Sequence, residues 1–164
     1  MHRTLSCVVS GAYVDVKGGY YASATPHPLT LMDGLPTELG GGTGLTVQVS
    51  QQYRVIENPD LREPWQVRTV AYHYTLGESG GHEILSYQWH PNVPGSVSFS
   101  HLHLQYGAGL GRSEFERAHL PTGRVTVQDF VRLLIGDVAV PPARDDWEAA
   151  LQESRREFES DRSC

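Results

Sequence analysis

Leu45-Thr-Val-Gln-Val-Ser-Gln-Gln-Tyr-Arg-Val-Ile56 is the stretch that decides the fold. Leu45, Val47, Val49, Tyr53 and Val55 fall on one face, and Thr46, Gln48, Ser50, Gln52 and Arg54 on the other. Alternation of period two marks a half-buried strand, because successive strand side chains point to opposite sides. Three further runs repeat the pattern. Gln66 to Leu76 places Val70, Tyr72, Tyr74 and Leu76 on one face. His82 to His90 alternates Leu85, Tyr87 and Trp89, and Val97 to Tyr106 alternates Leu102, Leu104 and Tyr106. Asn58-Pro59-Asp60, Gly77 to Gly81 and Pro91 to Gly95 break the chain between them. Connections this short favour antiparallel pairing of sequence neighbours, a meander.

On the N-terminal side, Ala12 to Val16 and Tyr20 to Ala24 flank Lys17-Gly-Gly19 and predict a β-hairpin. Thr25 to Gly44, with Pro26, Pro28, Pro36 and Gly40-Gly41-Gly42, reads as a loop. On the C-terminal side, Thr126-Val-Gln-Asp129 has capping-box spacing, with Asp in place of Glu. Val127, Phe130, Val131 and Leu134 then follow at helical spacing, and Gly136 suits a helix stop. After Pro141-Pro142, about Arg144 to Arg162 predicts a second helix with Trp147, Leu151 and Phe158 on one stripe. Strands followed by helices predict an α+β domain, an antiparallel meander sheet with the C-terminal helices packed on one face. Residues 1–44, 45–142 and 143–164 are read as the hairpin and loop, the sheet with its capped helix, and the last helix of one globular domain.

Composition narrows the class of protein. A chain of 164 residues with 20% charged residues and net charge −6 fits one ordered domain. No run approaches the ~20 continuous apolar residues that a membrane-spanning helix needs. The apolar run in Met1 to Ala12 is short for a secretory signal, and Tyr13 to Val16 reads as a strand. Cys7 and Cys164 form no metal motif and read as reduced thiols, which sets a cytoplasmic expectation. The acidic balance excludes a nucleic-acid binder that uses its whole surface but leaves room for a local arginine patch.

Eight histidines stand against one lysine, Lys17. If the aromatic and aliphatic positions face the helices, the alternate positions face away. These are Thr69, Ala71, His73 and Thr75; then Ile84, Ser86, Gln88 and His90; then Val97, Phe99, His101 and His103. Gln48, Gln52 and Arg54 join them from the first strand. Register decides whether they converge, and a bulge would flip part of the set. His101 and His103 are the leading candidates, since two residues apart on a strand places both imidazoles on one face. His90, His73 and Arg54 are their candidate companions. His2, His27, His82 and His119 read as bystanders.

Two neighbouring imidazoles can divide acid and base roles in phosphodiester cleavage, with an arginine holding the developing charge. That predicts metal-independent cleavage of RNA through its own 2′-hydroxyl. The same pair also suits a divalent transition metal. Gly95, five residues, then His101-Leu-His103 matches the opening of the cupin signature, although Gly107 and Ala108 stand where its Glu would fall. A third reading is a non-catalytic interaction domain.

The stretch from Val67 to Gly136 resembles the TumE-like family of toxin–antitoxin toxins. Arg68 to Leu76, Ile84 to His90, Phe99-Ser-His-Leu-His103 and Thr126-Val-Gln-Asp129 carry the resemblance. Tyr87-Gln-Trp-His90 and Ser100 depart from it. The resemblance implies a small cytoplasmic toxin encoded beside a helix-turn-helix antitoxin protein, with RNA as a candidate substrate.

Overall fold

The computed structural model describes residues 1–18, 21–23, 25–57, 64–95, 97–105, 108–109 and 117–160. Its described elements are α1 (His2–Leu5), β1 (Val14–Val16), β2 (His27–Leu31), a single 3-10 turn (Met32–Gly34), β3 (Thr37–Glu38), β4 (Leu45–Glu57), β5 (Trp65–Glu78), β6 (Glu83–Trp89), β7 (His101–Leu104), β8 (Leu120–Pro121), α2 (Val127–Gly136) and α3 (Trp147–Ser160). The strands form one open antiparallel sheet in the order β1-β2-β4-β5-β6-β7-β8, and β3 pairs with β4. This is the expected α+β fold with a meander sheet. Among the described residues the sheet is open, with β1 and β8 at its two edges.

The alternation places the core as expected. Val47, Val49, Tyr72, Tyr74, Leu76 and Trp89 lie buried on one side of the sheet, in one cluster with Phe130, Val131 and Leu134 of α2. Phe130 stacks on Tyr74 with ring centroids 5.6 Å apart and meets Tyr87 edge-on at 6.2 Å. Aromatic pairs in these geometries add to the burial of their area. The Thr126 side chain caps α2 by accepting from Asp129 N–H, while Asp129 accepts from Thr126 N–H, a complete capping box. A buried polar link joins α1, α2 and α3: Thr4 Oγ1 lies 2.8 Å from Ser154 Oγ, which accepts from Gln128 Nε2 at 2.9 Å.

Two expectations for the N-terminal third are corrected. β1 pairs with β2, Val14 opposite Leu31 and Val16 opposite Leu29; of the predicted partner run Tyr20 to Ala24, residues 21–23 are described and form no strand. Residues 19, 20 and 24 lie outside the described set, and Tyr21 is largely exposed. Leu31 is fully buried, so pairing through β2 places an apolar side chain in the core. The predicted loop from Thr25 to Gly44 therefore holds β2 and β3. Pro28 is tolerated because its face of the backbone meets Lys17, one residue past β1, where its carbonyl accepts from Lys17 N–H at 3.1 Å. Between β2 and β3, Met32, Asp33 and Gly34 take positive φ values of 46°, 57° and 81° and turn the chain.

Other boundaries shift less. β7 covers His101–Leu104 of the longer predicted run, and Tyr106 lies outside the described residues. α3 covers Trp147–Ser160, inside the predicted span.

Candidate metal centre

Register assembles the histidines. β5, β6 and β7 place His73, Gln88 and His101 in one cross-strand row, and Thr75, Ser86 and His103 in the next. A register shift lies at Gln52/Tyr53, where Gln52 pairs with Ala71 and Tyr53 with Thr69. Beyond it Thr69 turns to the helix side, where its Oγ1 accepts from Gln51 Nε2 at 2.6 Å, and Gln51 Oε1 in turn accepts from Tyr74 Oη. That removes Thr69 from the predicted polar face and leaves His73, on the near side of the shift, in place.

His101 and His103 come together as expected, with ring centroids 4.8 Å apart. The third member is His119, read from sequence as a bystander. It lies 4.9 Å from His101 and 4.4 Å from His103. One ring nitrogen from each of the three falls within 4.8 Å of the others. His119 immediately precedes β8, which pairs with β7 through His101 opposite Pro121 and Leu102 opposite Leu120. Three contacts hold this segment. Thr122 N–H donates to Ser100 O at 2.9 Å. Arg124 lies 3.9 Å above the Trp89 ring. Val125 N–H donates to Tyr72 Oη at 3.0 Å. The core face thus pins the segment that delivers His119 to the opposite face.

His73 and His90 form a second, looser pair, with ring centroids 6.0 Å apart. Arg54 remains on the polar face of β4 but four residues beyond Ser50, which shares His73's row. At ~3.4 Å per residue and ~4.8 Å per strand, that is about 14 Å along the sheet and about 14 Å across it from His101. Arg54 does not join the histidines.

The hydrogen bonding and burial of the cluster suit a metal. His101 is only 4% exposed, and its Nδ1 lies 2.8 Å from Phe99 O. A carbonyl only accepts, so Nδ1 is the donor and Nε2 is the nitrogen left to face a ligand, as in metal-ligating histidines whose second nitrogen is tied back to the chain. His103 Nδ1 is buried and has no hydrogen-bond partner among the described residues. Burial, and then the charges of His119 and His101, hold the His103 pKa below the usual histidine value, with Glu83 opposing. Burial likewise lowers His73 and His90. Neutral imidazoles are the form that binds metal.

Tetrahedral coordination with Zn–N bonds of ~2.0–2.1 Å places ligand nitrogens about 3.3 Å apart. The ligand nitrogens, all within 4.8 Å of one another, need to close by at most about 1.5 Å to reach that spacing. The site uses imidazoles alone, donors that suit zinc, copper, nickel and iron.

No known protein family, curated protein or solved structure matches the chain. Among the described residues, no helix is long and apolar enough to cross a membrane.

Proposed function

We propose that this protein binds one transition-metal ion through His101, His103 and His119, leaving at least one coordination position open. The carrying observation is the convergence of three imidazoles, one of them with its tautomer fixed by Phe99 O. An open three-histidine centre supplies Lewis-acid chemistry, polarising a carbonyl or phosphoryl oxygen or activating water. Zinc equilibration followed by dialysis and elemental analysis tests the reading. One ion per chain is expected, lost in the His101→Ala/His103→Ala double variant and kept in His2→Ala. A wild-type protein that retains no metal overturns it.

A second reading rests on the same rings. The depressed His103 pKa suits a general base beside His101, which supports metal-independent cleavage of RNA by a toxin-like protein held in check by a helix-turn-helix antitoxin. The resemblance to TumE-like toxins supports the cellular role. Inducible expression separates the readings. Growth arrest that needs both histidines and persists under a chelator favours the toxin nuclease. Equal arrest by wild type and double variant removes it.

A further inference from the structure

Phe99 is 46% exposed, an aromatic side chain left open beside the three-histidine centre. Its ring stands edge-on to His101, centroid to centroid 5.9 Å at 77°. Its carbonyl is the acceptor that fixes His101 Nδ1. The residue therefore does two separable things. Its backbone orients a ligand imidazole, and its exposed side chain packs against that same imidazole. Scattered exposed apolar residues need no explanation. This one packs edge-on against His101, whose ring meets those of His103 and His119.

We infer that the metal centre accepts a substrate bearing an aromatic or comparably planar apolar group next to its metal-binding oxygen, with Phe99 as the residue that selects it. This inference rests on the metal reading above. The geometry needs only a short link, since the Phe99 and His101 ring centroids lie 5.9 Å apart. An offset or edge-to-face partner on Phe99 would gain about tenfold in affinity over an aliphatic one, the upper range for an aromatic pair.

The test uses the cobalt(II)-loaded full-length protein and two probes with the same metal-binding group, acetohydroxamate and benzohydroxamate. Each is titrated against the visible absorption of the cobalt. Benzohydroxamate is expected to bind about tenfold more tightly. The preference should fall to about threefold or less in Phe99→Ala and survive in Phe99→Tyr. Both variants keep the backbone carbonyl, so cobalt content should not change. A benzohydroxamate preference that persists in Phe99→Ala overturns the inference and leaves the metal reading standing. So does cobalt that binds but responds to neither probe. Failure to load cobalt at all removes the metal reading and this inference with it.

Discussion

The two faces of the sheet are built from the same strands and are held by different means. On the covered face, Tyr72, Tyr74, Leu76 and Phe130 fill space, and the tyrosine hydroxyls find partners in Gln51 and Val125. On the open face, His73 Nε2 and His103 Nδ1 are buried without a hydrogen-bond partner among the described residues. Burying polar atoms unpaired costs stability. The contrast separates residues that the fold needs from residues whose geometry the fold tolerates. The covered face should fail by unfolding, and the open face by losing what it binds.

The largest effect is expected on the covered face. Phe130→Ala removes a fully buried ring between Tyr74 and Tyr87 and should cost roughly 3–5 kcal/mol in denaturant unfolding. His119→Ala, on the open face, should change stability by less than about 1 kcal/mol. Its zinc affinity should fall by more than about 100-fold, beyond the 10–100-fold typical of losing a residue behind a ligand. A His119→Ala protein that unfolds like Phe130→Ala would erase the distinction between the faces.

An intermediate effect should link them. Arg124→Ala leaves all three histidines in place but removes the contact with Trp89 that holds the segment behind His119. Zinc affinity should drop about fivefold, in keeping with a cation–π contact of ~1 kcal/mol, as read by competition with a chromogenic chelator. No change would mean that β8 pairing alone positions His119.

The smallest effect is in the pH dependence of the metal-free fold. The folded-state pKa of His73 is lowered, chiefly by burial, so the unfolded chain binds protons more readily there. Its contribution is intact above the ordinary histidine value near ~6.5 and is lost as pH falls from there through the lowered value. His73→Gln should flatten the fall in melting temperature between about pH 7 and pH 5. An unchanged slope would assign that fall to other groups.

These differences also explain what the sequence could reveal. β4, β5 and β6 were legible because apolar and aromatic side chains recur at alternate positions on their buried side. The pairing of His101 with His103 was legible because strand parity alone puts both on one face. β2 was hidden because Pro26 and Pro28 mimic a loop, and only the end of β1 makes Pro28 acceptable. Thr69 moved because one register shift reverses parity. His119 had no local signal, since Leu120–Pro121 is too short to alternate and contains a proline. Its place is set by distant contacts, Thr122 to Ser100 and Arg124 to Trp89. Arg54 kept the right face and lost relevance through distance along the strand, which parity does not report.

The central claim is that three particular imidazoles act as one metal site. Long-range proton–nitrogen NMR of the histidine rings during a zinc titration tests it most directly, because it reads each ring nitrogen separately. One nitrogen each of His101, His103 and His119 is expected to shift together and saturate at one ion per chain, with His101 binding through Nε2. His2, His27 and His82 should stay unchanged. Saturating zinc that leaves the His119 ring unmoved, or that shifts the other histidines instead, would contradict it.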